Sequence, residues 1–139
     1  MILDADLQFS NGQDVATAST ASTNIIDLGV ARNIAVGKQM YIVVTVTTAL
    51  TNTGSCTIKL ETDNDVAFGS ATNAQAVGVF TTAAAGTQLI VPIYPHNISE
   101  RYMRLYYTKS GTIDAGNVDA FLTEQYEKTA YYDDAVTIS

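Results

Sequence analysis

Apolar and polar positions alternate with a period of two through most of this chain, a spacing that belongs to extended strands and not to helices. In the first ten residues Leu3, Ala5, Leu7 and Phe9 share one face while Asp4, Asp6, Gln8 and Ser10 share the other, which predicts a strand from Met1 to the Asn11-Gly12 turn. Val15 and Thr17 restart an extended segment over residues 13–19, and a short apolar run at residues 25–28 is closed by Gly29. Residues 32–38 read as a loop. The strongest pattern is at residues 40–50, where Met40, Ile42, Val44 and Val46 oppose Tyr41, Val43, Thr45 and Thr47. Both faces of this segment are apolar at its start, as expected of a central strand covered on two sides. Thr51-Asn52-Thr53-Gly54 reads as a hairpin turn into a return strand over residues 56–62, with Lys59 and Glu61 pointing to water.

A polar loop from Asp63 to Asn73 follows, with Phe68 as its expected core anchor. Residues 74–81 and 87–93 form two more strands around Ala83-Ala84-Ala85-Gly86. Pro92 and Pro95 place the second of these at a sheet edge or strand end, because proline cannot donate to a ladder. In residues 100–108 Met103, Leu105 and Tyr107 oppose Tyr102, Arg104 and Tyr106, and turns at Ser110-Gly111 and Asp114-Ala115-Gly116 lead to a last core strand over residues 118–126. About eight short strands at this spacing predict an all-β fold, a β-sandwich of jelly-roll or immunoglobulin-like type. Residues 1–126 then form one domain. Residues 127–139 form a tail in which Tyr131 and Tyr132 precede two acids and the extended Val136-Thr137-Ile138. Such a tail is either an arm docking on another subunit or a closing strand of its own domain.

Composition narrows the function classes. A chain of 139 residues is long enough for one stable core without disulfides or metals, and its abundant threonine and valine favour strands. The net charge of -7 and scattered basic residues argue against nucleic acid as a partner, since phosphate binding rests on clustered Lys and Arg. The same charge repels an anionic bilayer, and no run approaches the roughly 20 apolar residues of a membrane helix. Asp4 and Asp6 fall where a signal peptide would place its apolar run, so secretion by that route is not expected.

Little in the chain points to catalysis. His96 stands alone after Pro95, with no acid or nucleophile within two residues. Cys56 shares the parity of Ile58 and Leu60 and is expected to be a buried free thiol. Glu61, Asp63 and Asp65 are weak candidates for a calcium site, lacking the later glycine and bidentate glutamate of an EF-hand loop. Glu100, Glu124 and Glu127 could supply paired carboxylates, but the chain has no tryptophan with which to line a glycan cleft. Asn97-Ile98-Ser99 fits a glycosylation sequon by chance in a chain not expected to be secreted.

The opening MILDADLQFSNGQ, the segment STNIIDLG from Ser22, the strand from Met40 to Val46, the loop ETDND from Glu61 with Phe68, and ERYMRLYY from Glu100 occur in an order that resembles the capsid cement proteins of short-tailed bacteriophages of the Bordetella-phage type. That resemblance implies a jelly-roll protein, without cofactor or enzymatic activity, made in the cytoplasm of the host bacterium and seated on the outer capsid surface of the virion. Its partners would be the major capsid protein, whose neighbouring subunits it clamps, and itself, as a dimer in preference to a trimer. Tyrosine and arginine combine contact area with directed hydrogen bonds. The expected interface residues are therefore Met1, Leu3, Leu7 and Phe9 of the first strand, the face of Tyr102, Arg104 and Tyr106, and Tyr131 and Tyr132 of the tail. The alternative is a carbohydrate- or calcium-binding β-sandwich module of a virion fibre.

Overall fold

The run YIVVTVTT at Tyr41–Thr48 is rich in β-branched side chains, which fit a pleated surface and crowd a helix, and it forms a central strand of one of two antiparallel sheets. The computed structural model describes residues 5–31, 37 and 39–124. Within them run β1 (Gln8–Asp14), β2 (Thr20–Ala21), β3 (Ile26–Asp27), β4 (Tyr41–Thr48), β5 (Ser55–Asp63), β6 (Thr72–Thr81), β7 (Gln88–Pro92), β8 (Tyr102–Ser110) and β9 (Asn117–Thr123). The first sheet has the order β1-β9-β4-β7 and the second β2-β8-β5-β6, with β3 also paired to β8.

β2 and β3 are two pieces of one strand. Ala21 pairs with Tyr106 and Ile26 with Met103, so residues 22–25 bulge opposite only Arg104 and Leu105. Ser22 holds the break closed: its N–H donates to the Leu105 carbonyl at 2.7 Å, and its hydroxyl accepts the Leu105 N–H at 3.1 Å. Counted this way, eight strands form two four-stranded sheets in the order of a jelly roll, two Greek keys folded face to face. The expected all-β sandwich is the observed fold.

Three local expectations differ from what forms. β1 begins at Gln8, after a 3-10 turn at Ala5–Leu7, and not at Met1; residues 1–4 lie outside the described residues. Asn11-Gly12 does not end the strand but kinks it. Ser10 pairs with Ala120 and Gln13 with Val118, and Gly12 takes the left-handed φ of +58° that this bulge requires while donating its N–H to Asp119 Oδ1 at 2.6 Å. The third difference is the turn after β4. β4 pairs with β7 and β9, and β5 with β6 and β8, so residues 49–54 cross from one sheet to the other instead of closing a hairpin.

That crossing is held by its neighbours at the same end of the sandwich. Leu50 donates to Ala83 at 2.8 Å, Thr51 to Ala115 at 3.2 Å, and Gly54 to Thr112 at 2.8 Å. The backbone polar groups that a hairpin would have paired locally are satisfied by two distant loops, β6–β7 and β8–β9, and Leu50 is driven into the core. A Cβ on Gly54 would lie 2.5 Å from the Thr112 carbonyl oxygen, so only glycine permits this approach.

The core lies between the sheets, where Ile42, Val44 and Val46 of β4 meet Ile58 and Leu60 of β5 and Leu105 and Tyr107 of β8. Val43 and its register partner Phe121 are also buried although they face outward from the first sheet, so β4 is covered on both sides at its start. A glutamine spans each open side of the sandwich. Gln13 of β1 donates from Nε2 to the Ala21 carbonyl at 2.7 Å and accepts the Thr23 N–H at Oε1 at 2.9 Å. On the opposite side Gln75 of β6 donates to the Pro92 carbonyl at 2.8 Å and accepts the Tyr94 N–H at 3.0 Å. Each side-chain amide thus pairs with residues i and i+2 as one more strand residue would.

Candidate functional site

Because Met103, Leu105 and Tyr107 are fully buried between the sheets, strand alternation turns Tyr102, Arg104 and Tyr106 of β8 to the outer face of the second sheet. The register with β5 sets Asp63 opposite Tyr102, Glu61 opposite Arg104 and Lys59 opposite Tyr106. Charges of opposite sign therefore meet across the strands. Arg104 Nε donates to Glu61 Oε2 at 2.8 Å, and Lys59 Nζ lies 3.5 Å from Glu61 Oε1. The Glu61 side chain is only 7% exposed and that of Arg104 19%, so this pair is far better shielded from water than an ordinary surface ion pair.

Aromatic rings frame these cations. The Arg104 guanidinium lies 4.2 Å from the centre of the Phe68 ring and 5.7 Å from that of Tyr106, and Lys59 lies 5.4 Å from Tyr106. Phe68 is buried, as expected of it, but outside the main core cluster and against Arg104 instead of between the sheets. The β5–β6 loop dictates this placement. Asp63 accepts the N–H groups of Asp65 and Ser70, Asp65 Oδ1 accepts that of Ala67, and the Phe68 N–H closes on the Asp65 carbonyl at 2.9 Å. This winding leaves Phe68 at φ +54°, a strained conformation for an aromatic residue that the surrounding bonds hold in place.

At the upper end of the same face Arg101 forks onto Asp27 of β3, with Nε 2.8 Å from Oδ1 and a terminal nitrogen 2.9 Å from Oδ2, and lies 4.9 Å from the Tyr102 ring centre. The Arg101 hydrogen bond, helped by the Gly29 N–H, draws the Asp27 carboxyl down to about 2. Asp63 is likewise held below the usual carboxylate range, chiefly by the Asp65 N–H and then by that of Ser70. The result is a sheet face of alternating rings and paired charges whose side chains hold one another in place.

The three acids weighed for calcium have other duties. Glu61 serves Arg104 and Lys59, Asp63 serves two backbone donors, and Asp65 a third. Among the described residues no three His, Cys, Asp or Glu side chains gather as a metal site would need. His96 lies in the 3-10 turn Pro95–Asn97, its ring 6.3 Å from that of Tyr94, and Glu100 accepts the Thr62 hydroxyl at 2.8 Å. Cys56 is buried, and that burial pushes its thiol up to about 11. No helix among the described residues is long and apolar enough to cross a membrane.

Of the residues expected at an interface, the structure brings Tyr102, Arg104 and Tyr106 together on one face. Leu7 is partly buried and packs against the core, and Phe9 is fully buried within it, so the Phe9 side chain presents nothing to a partner in this fold. Met1, Leu3, Tyr131 and Tyr132 lie outside the described residues. Lys59, Phe68, Arg101 and Asp27 join the face without having been expected at an interface. Lys59 and Glu61 share an outward parity that was visible, whereas the pairing of β3 and β5 with β8 was not.

No curated protein matches the chain. A family model does, over residues 9–122, from the second residue of β1 to the penultimate residue of β9. With the whole sandwich inside the match, the chain belongs to the Bbp16 family, a family of Bordetella phage proteins.

Proposed function

We propose that this protein is a non-enzymatic cement protein, which binds the outside of the major capsid shell and joins neighbouring capsid subunits of a DNA-filled head. Membership of a phage family across the entire sandwich carries this reading. The outer face of the second sheet supports it: Tyr102, Arg104 and Tyr106 are residue types favoured at protein interfaces, with Arg104 held by Glu61 and Phe68, Tyr106 beside Lys59, and Tyr102 beside Arg101. Reinforcement of a shell asks for a rigid body with a prepared contact surface, repeated many times. Multiplicity then makes a modest single contact sufficient.

The experiment is co-sedimentation of the purified protein with mature capsids lacking it. Saturable binding that raises the temperature of capsid rupture is expected, together with at least tenfold weaker binding by a Tyr102→Ala/Tyr106→Ala double variant that retains its fold. Absence of binding by the parent protein, with retention on a glycan array or calcium-dependent stabilisation instead, would establish the fibre-module alternative.

A further inference from the structure

Arg101 and Arg104, on the same sheet face, are paired in different ways. Arg101 spends Nε and a terminal nitrogen on the two oxygens of Asp27. Glu61 instead divides its oxygens, Oε2 accepting from Arg104 Nε at 2.8 Å while Oε1 faces Lys59 Nζ at 3.5 Å. Both terminal nitrogens of Arg104 are therefore left without an acceptor among the described residues. No fully buried side-chain nitrogen or oxygen among those residues lacks a partner, so the two unpaired nitrogens reach the surface.

The rest of this guanidinium is held and shielded. Its centre lies 4.2 Å from that of the Phe68 ring and 5.7 Å from that of Tyr106, and only 19% of the side chain is exposed. Phe68 keeps its left-handed φ of +54° to stay there, fastened by the turns that Asp63 and Asp65 make with the loop backbone. Backbone strain of this kind gathers where a fold clamps a ligand group. Water is displaced from much of the cation, and a charge-assisted hydrogen bond to the part still open gains strength from the lower local dielectric.

We infer that the terminal nitrogens of Arg104 receive a carboxylate of the major capsid protein, an Asp or Glu side chain seated on the open edge of the guanidinium. The inference rests on the capsid-binding reading and names the chemistry by which that partner is recognised. Two neighbouring nitrogens address two oxygens, and a carboxylate presents two in one plane where a carbonyl presents one. A polyanion fits poorly. Glu61 and Asp63 already offset Arg104 and Lys59 on this face, and a body of net charge -7 repels a run of phosphates as a whole. A single carboxylate carried by a protein surface adds one charge at the one place where donors stand unmet.

The test uses Arg104→Lys, which keeps the charge beside Glu61 and removes the planar fork. On capsids lacking the protein it is expected to bind about tenfold more weakly than the parent, with a near-parental melting temperature. A carbodiimide, which joins an amine to a carboxylate in contact with it, should then link the introduced amine to an Asp or Glu of the capsid protein, located by mass spectrometry. A loss of the same size is expected for the parent protein on capsids whose surface carboxylates have been converted to amides, a measurement independent of how the variant folds. Parental binding by Arg104→Lys, or undiminished binding to the amidated capsids, overturns the inference and leaves capsid binding standing. So does a cross-link from position 104 confined to Glu61, or to Asp133 and Asp134 of the same chain. A parent protein that binds no capsid removes the cement reading, and this inference with it.

Discussion

Ser10 and Tyr107 meet inside the sandwich, with the serine hydroxyl 2.7 Å from the phenol oxygen and the two residues on opposite sheets. The serine has one proton, and it goes to Gln13 Oε1 at 2.6 Å, so the phenol must donate to the serine. Burial raises the phenol's affinity for that proton, which keeps it a donor across the accessible pH range. Removing Ser10 (Ser10→Ala) leaves a buried phenol without its acceptor and should destabilise the fold by about 1–3 kcal/mol. Removal of both hydroxyls in Ser10→Ala/Tyr107→Phe should destabilise by less than the sum of the single changes, as read by urea denaturation.

Gly54 sets a stricter requirement. Gly54→Ala forces a methyl group onto the Thr112 carbonyl, and backbone rather than a flexible side chain must move. A loss of about 2 kcal/mol or more is expected, with faster hydrogen exchange at the amides of Leu50, Thr51 and Gly54, which share that end of the sandwich. Unchanged stability would show that the end loops yield more easily than their hydrogen bonds imply.

The Asp27–Arg101 pair makes a prediction about pH. The folded carboxyl titrates at about 2 against an ordinary value of 3.8, so folding is favoured by its ionised form. Its stabilisation is fully present above pH 3.8 and is lost as pH falls from there through about 2. Asp27→Asn should therefore lower the melting temperature at pH 6, and the gap to the parent should narrow as pH falls below 3.8 and close only below about pH 2. The pair is exposed, so the change is expected to be small and to shrink in high salt.

Cys56 offers a probe of global opening. With its thiol pushed up to about 11 by burial, the reactive thiolate is scarce at neutral pH. Labelling by a disulfide reagent should follow the rate of unfolding and not the concentration of reagent, once the reagent is in excess.

The period-two alternation made the layers legible: Ile42 and Val44 inward, Tyr102 and Arg104 outward, and Val43 covered on a second side. Strand partners were not legible, because pairing is decided between residues far apart in the chain. Asn52 and Gly54 are turn formers in a hairpin and equally in a crossing, and only Ala83, Thr112 and Ala115 distinguish the two. The Arg104 face was half visible. Tyr102, Arg104 and Tyr106 stand at one parity, but Phe68 reaches them through a loop whose winding is set by Asp63 and Asp65, so an aromatic that reads as core serves as a lid for a cation.

Gln13 and Gln75 give the sandwich a mechanical property. One starts in the first sheet and grips the second, the other starts in the second and grips the first, and they sit on opposite sides. Lateral sliding of one sheet over the other stretches both amides at once, and a hydrogen bond fades within roughly 0.5 Å of its ordinary length. These two clasps at the rims therefore add resistance to shear to that of the packed interior, where the Ser10–Tyr107 bond also joins the sheets.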